Sequence, residues 1–146
     1  MRILRLYGAV MACSLFMISC DTNAGETESE KATTKSVLED GTFCFRTEIT
    51  YQNNPGKADV LELTVIKDGE KARGSFNFLP AEKDKRMGDF VGLAKENTID
   101  ADYTFMQEGV EQTVKVTITL SDEEASIKSS DRAFGMDSNL KRATCK

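Results

Sequence analysis

From Gly41 onward, large apolar residues return at every second position, and that period constrains the fold more than any other feature of the chain. Val114, Val116, Ile118 and Leu120 alternate with Lys115, Thr117 and Thr119. Leu61, Leu63 and Val65 alternate with Glu62, Thr64 and Ile66, and Ile99, Ala101, Tyr103 and Phe105 do the same further on. In the first such segment Phe43, Phe45, Thr47, Ile49 and Tyr51 share a face, with Cys44, Arg46, Glu48 and Thr50 on the other. Successive side chains of a strand point to opposite faces, so each segment has one side to bury and one to leave in water. No stretch of this region carries a helical period.

Turn signals punctuate the alternation. Gln52–Gly56 is a cluster of turn formers. Asp68-Gly69 reads as a type I′ hairpin, because both central residues tolerate positive φ, and Glu96-Asn97, Gln107–Gly109 and Ser121–Glu124 are further turns. Ala72, Gly74, Phe76 and Phe78 carry a returning strand that Pro80 stops, and Pro80–Gly88 is a charged loop. Strands are expected near Asp89–Lys95, Ala125–Lys128 and Leu140–Cys145, with Ser129–Asn139 irregular. Short sequential connections favour antiparallel neighbours, because parallel pairing needs long crossovers. The expectation is an all-β antiparallel meander of seven or eight strands, curled into a small barrel or open sandwich over residues 41–146.

Composition narrows the chemistry. The chain has 146 residues, no His and no Trp, which removes the commonest general base and metal ligand. Lys and Arg number 19 against 24 Asp and Glu, so a basic nucleic-acid-binding face is not expected. Ser, Thr and Cys nucleophiles lack a His partner. Asp100, Asp102 and Glu108 are carboxylates without a counterpart across a cleft, and Asp100 and Asp102 read as one solvated strand face. Their D-x-D spacing lacks the rest of a calcium loop. No enzyme activity, metal or cofactor is therefore expected. Glu82, Lys83 and Asp84, within the mixed-charge run Glu82–Arg86, form a candidate partner-contact loop, because loops on rigid sheets carry recognition. The rings of Phe43, Phe45, Tyr51, Phe76, Phe78, Phe90, Tyr103 and Phe105 fall mostly on the inward face, as core or as the lining of a ligand pocket.

The first twenty residues follow a different plan. Arg2 and Arg5 precede an apolar run from Leu6 to Ile18, and the small Ser19 precedes Cys20. A basic start, a short apolar run and a small residue, in that order, make an export signal. The junction Met17-Ile18-Ser19-Cys20 resembles the lipobox of bacterial lipoproteins, although Met17 stands where Leu is usual. The resemblance implies a signal peptide over residues 1–19 and a diacylglyceryl group on the Cys20 sulfur. Two or three acyl chains, at about 0.8 kcal/mol per buried CH₂, would anchor the protein firmly. The alternative is cleavage near Ser19 with Cys20 unmodified. Residues 20–40, rich in Glu, Thr, Ser and Lys, read as a disordered linker. Loss of Arg2 and Arg5 would leave 17 of the 19 basic residues against 24 acidic ones, a net charge of −7. Such a body is repelled by anionic lipid and would stand off the surface. The implied location is the envelope of a Gram-negative bacterium, on the inner or outer membrane, with the domain in the periplasm or at the cell surface. Asp21 resembles an inner-membrane retention signal of enteric bacteria, a rule that does not hold in all bacteria.

Four cysteines divide between these parts. Cys13 leaves with the signal, Cys20 takes the lipid, and Cys44 and Cys145 remain. Two leftover cysteines in an exported chain most often pair, here tying the first strand to the last. The alternatives are two free thiols or a redox pair, and the absence of a C-x-x-C spacing argues against redox work.

The segment Asn77–Asp84, then Gly88, Gly92 and Asp102–Gly109, resembles a group of small bacterial lipoproteins that share a first-strand Cys, an E-K-D loop, a D-Y-T-F-M-x-E-G strand end and a terminal Cys. Here these are Cys44, Glu82–Asp84, Asp102–Gly109 and Cys145. The resemblance implies architecture and export and names no activity. The functional expectation is a membrane-anchored, non-enzymatic β-domain that binds an envelope protein or other macromolecule. Inhibition of a basic hydrolase such as lysozyme is one form of it, although the Ser-Gly motif of lipoprotein lysozyme inhibitors is missing. The alternative is a lipocalin-like carrier of a small apolar ligand.

Overall fold

A computed structural model describes residues 38–146. The expected signal peptide, Cys20 and the expected linker up to residue 37 lie outside the described residues. The alternating segments form eight antiparallel strands: β1 (Gly41–Tyr51), β2 (Asn54–Asp68), β3 (Lys71–Leu79), β4 (Arg86–Lys95), β5 (Thr98–Gln107), β6 (Val110–Leu120), β7 (Glu124–Lys128) and β8 (Ser138–Ala143). Each pairs with the next, and β8 returns to β1 through Cys44↔Ala143, Phe45↔Arg142 and Arg46↔Lys141. The meander is thus a closed barrel, and closure removes the free edges an open sandwich would leave.

The inward set of each strand makes one core. Phe45, Leu63, Val65, Phe76, Phe90, Ile99, Tyr103, Phe105, Ile118, Ile127 and Leu140 are almost wholly removed from water. Burying each such side chain is worth about 1.5–3 kcal/mol before the entropy of ordering it. The narrow interior also needs positions with no side chain. Gly88 lies opposite both Phe76 and Phe105, and Gly74 opposite Phe90. A Cβ at Gly88 would stand 2.4 Å from the Thr104 carbonyl oxygen, so strand and ring approach only because hydrogen is there.

Several boundaries differ from the sequence reading. The Asp68-Gly69 hairpin turns one residue later: Asp68 pairs with Lys71, and only Gly69 (φ 59°) of the central pair has positive φ. That is the Gly-X pattern of a type II′ turn, whereas Glu108 (φ 51°) and Gly109 (φ 76°) are both positive, as in type I′. Asn54–Gly56 belong to β2, where the β1–β2 ladder slips at Thr50/Tyr51. Ile49, placed with Phe43 and Phe45, is exposed, because β1 runs past the closing contact with β8. The charged loop shortens to Pro80–Lys85, since Arg86–Gly88 pair with Phe78–Phe76. Leu38, read as linker, is buried, its amide bound to Asn97 Oδ1 at 2.9 Å. Asp40 accepts from Lys67 Nζ and the Gly69 amide, which hold its carboxyl below the usual range.

The meander sorts the connections to two ends. Leu38, the turns at 69–70 and 96–97, and residues 121–123 lie at what we call the lower end. The turns at 52–53 and 108–109, the loop 80–85 and the segment 129–137 lie at the upper end.

Candidate functional site

β7 and β8 are short. β7 pairs with β6 only from Thr117 to Leu120, and β8 pairs with β1 only from Cys44 to Arg46. The upper wall between β1 and β6 is therefore not sheet. Residues 129–137 cover it, tied down by Ser129 Oγ donating to the Lys115 carbonyl and by Asp137 accepting from the Ser129 amide. This segment drives Phe134 fully into the barrel, where its ring meets Phe76 at 6.1 Å and stands edge-on to Tyr103 at 6.0 Å. Tyr103 stacks on Phe105 at 5.1 Å, and its hydroxyl donates to the Phe76 carbonyl at 2.7 Å. Burial lifts the Tyr103 pKa well above the usual tyrosine value, so its hydroxyl stays protonated.

Arg86 joins this plug to the rim. Its Nε and Nη2 donate to Gln107 Oε1 at 2.8 and 2.5 Å, Nη1 donates to the Phe134 carbonyl, and the guanidinium lies 4.4 Å from the Phe105 ring centroid. The planar fork suits this combination of stacking and donation, which an ammonium could not reproduce. Burial draws the Arg86 pKa below its ordinary value, from a starting point so high that the cation persists.

Around Arg86 the upper end forms a basin of about 430 Å³, lined by Phe78, Lys83, Asp84, Gln107, Glu108 and Met136 as well. Lys83 and Asp84 of the E-K-D loop thus meet Glu108 of the Glu108-Gly109 turn across one concavity. Glu82 does not line it and pairs with Lys57. The loop is anchored at its start by Asp59, which accepts from the Ala81 amide at 3.0 Å and from Tyr51 Oη at 2.6 Å. Tyr51's hydroxyl holds the Asp59 carboxyl below the usual range, and the same bond pushes the Tyr51 pKa up to about 12. The basin offers cations, carboxylates, an amide and two apolar flanks, so its lining carries no single sign of charge.

The other predicted residues fall elsewhere. Cys44 and Cys145 are joined in a disulfide, with Cα atoms 5.2 Å apart. It fastens the end of the chain, beyond β8, to β1 near the closing seam. Asp100 and Asp102 are exposed on β5, where Asp100 accepts from Thr117 Oγ1 at 2.9 Å and Asp102 pairs with Lys115 at 2.5 Å. Among the described residues no group of three or more Cys, Asp or Glu side chains is arranged to hold a metal ion. The sequence reading missed Arg86, Gln107 and Phe134. In the sequence Arg86 is one more charge in a charged loop, and Phe134 is a single ring in a Ser/Asp-rich stretch with no period to mark it. Comparison with protein-family models, with curated proteins and with solved structures finds no match for the chain.

Proposed function

We propose that this chain is a cell-envelope lipoprotein, anchored through Cys20, whose barrel is a non-enzymatic module that binds another envelope protein at its upper rim. The observation that carries this reading is the filled interior. Phe76, Tyr103, Phe105 and Phe134 occupy the space where a carrier of small apolar ligands would need its cavity, so recognition falls to the outer surface. The rim lies at the end opposite Leu38, through which the described chain enters. A linker from Cys20 to Leu38, at 5–6 Å × √n, spans about 20–25 Å. It would hold the rim and its E-K-D loop away from the lipid and open to a partner.

A photo-crosslinking amino acid at position 83, compared with one at position 70, tests the reading in intact cells. Adducts with a discrete envelope protein from position 83 and not from position 70 are the expected result. Equal labelling from both ends, or none from either, would refute the rim as the contact. Failure of the protein to incorporate radiolabelled palmitate would refute the anchor. The narrower form, inhibition of lysozyme, predicts protection in a turbidity assay, and no protection removes it.

A further inference from the structure

The outer face of β3–β5 carries a pattern that neither the rim nor the core explains. Val91 and Leu93 point away from the barrel and are 69% and 66% exposed. Each sits in a cross-strand row. Register places Lys71, Leu93 and Asp100 side by side, and the next row is Arg73, Val91 and Asp102. Both rows run basic, apolar, acidic from β3 to β5. An outward strand position is normally polar, and Val91 and Leu93 form an apolar pair here; the polar row Ser75, Asp89 and Thr104 separates it from Met87 and Met106, which are paired in register and also exposed toward the upper end.

From this pattern we infer that the β3–β5 face is a homodimer interface, with the two-fold axis running along β4. Two sheets can stack face to face about an in-plane two-fold axis in two simple ways. An axis across the strands lays β3 on β3, setting the basic pair Lys71 and Arg73 of one copy against the same pair of the other. An axis along β4 lays β3 of one copy on β5 of the other. Lys71 then faces Asp100 and Arg73 faces Asp102 of the second copy, twice over, while Val91 and Leu93 pack on themselves at the centre. Only the second arrangement is complementary in charge, and it is the isologous contact a symmetric dimer requires. Strand directions stay aligned in it, as in ordinary sheet-on-sheet packing. It also turns the lower ends of both barrels to the same side, so two anchors could enter one membrane. Asp102 would share its carboxylate between its own Lys115 and the facing Arg73. Asp89, the next outward residue of β4 after Val91, also meets its own copy across this axis, a like-charge contact at the margin of the interface that must stay in water.

A residue on the axis meets its own copy, which gives a direct test in the exported full-length chain. Val91→Cys should form a disulfide-linked dimer on a non-reducing gel, at least about tenfold more than Thr113→Cys on the outer face of β6. Adding Arg73→Asp should lower the Val91→Cys dimer about tenfold, and adding Asp102→Arg as well should restore it. Light scattering of the unsubstituted full-length protein in detergent should give two chains per particle. Equal cross-linking at positions 91 and 113, indifference to Arg73→Asp, or one chain per particle would each overturn the proposal. None of these readouts depends on the rim partner.

Discussion

Tyr103 Oη donates a 2.7 Å hydrogen bond to the Phe76 carbonyl inside the barrel, where both residues are sealed from water. The bond ties β5 to β3 across β4 and gives the one hydroxyl in the aromatic cluster a partner. Tyr103→Phe keeps the ring and removes the donor. It should cost about 1–3 kcal/mol in urea unfolding, because the site excludes a replacement water.

Burial of Tyr103 and the bond of Tyr51 to Asp59 make the fold sensitive to alkali. Tyr103 and Tyr51 both have folded pKa values above that of a tyrosine in an unfolded chain, Tyr51 at about 12. The folded state therefore holds these protons more tightly than the unfolded one. The stability this adds is complete below about pH 10 and falls as pH rises through the folded values. Unfolding midpoints should thus decline above about pH 10. Tyr103→Phe should flatten that decline, and tyrosinate absorbance should show no Tyr103 ionisation before unfolding.

Phe134 and Arg86 form the upper closure, and their variants should separate packing from anchoring. Phe134→Ala should cost about 3–5 kcal/mol and raise the binding of an apolar dye, since it vacates space beside Phe76 and Tyr103. Arg86→Lys keeps the charge but loses the fork to Gln107 and the stacking on Phe105. It should cost about 1–3 kcal/mol and bring protease cleavage within residues 129–137.

Reduction of the Cys44–Cys145 bond, or Cys44→Ala with Cys145→Ala, releases a loop with a sequence separation of 101. The chain-entropy model gives a loss of about 4–5 kcal/mol for such a loop. Thermal unfolding with and without reductant measures it. A midpoint unmoved by reductant would mean that β1–β8 pairing alone closes the barrel.

Two glycines should respond differently to one added methyl group. At Gly92 a Cβ would lie 2.3 Å from the Asp100 carbonyl oxygen and 2.6 Å from the Ala101 Cα, so Gly92→Ala must push β4 from β5. A loss of about 1–3 kcal/mol in denaturant unfolding is expected. At Gly109 the space is open and only the positive φ opposes a side chain, so Gly109→Asn should be nearly neutral.

The division between sequence and structure follows the range of the forces. The alternation over Val114–Leu120 marked an inward and an outward face because pleating is local, and the same period set strand number and order once the turns were short. Cys44 and Cys145, left over once Cys13 and Cys20 are assigned to the N-terminal segment, are expected to pair, with free thiols or a redox pair as alternatives, and they do form a disulfide. Turn details were less legible: Asp68-Gly69 reads as a type I′ turn, but the flanking ladder pairs Asp68 with Lys71 and puts Gly69-Glu70 at the centre.

What residues 41–146 determined unaided was a set of antiparallel strands with one apolar face each, because a two-residue period needs only the chain's own geometry. Closure into a barrel was decided in three dimensions, by eight strands' accumulated twist and by glycines at 74, 88 and 92 that let neighbouring strands approach closely. So was the fate of Phe134, which is buried because two short strands leave a gap that 129–137 must cover. The meeting of Lys83, Asp84 and Glu108 around Arg86, and the charge rows flanking Val91 and Leu93, arise from register between strands. No local pattern encodes that register, since it depends on which distant residues come to lie side by side.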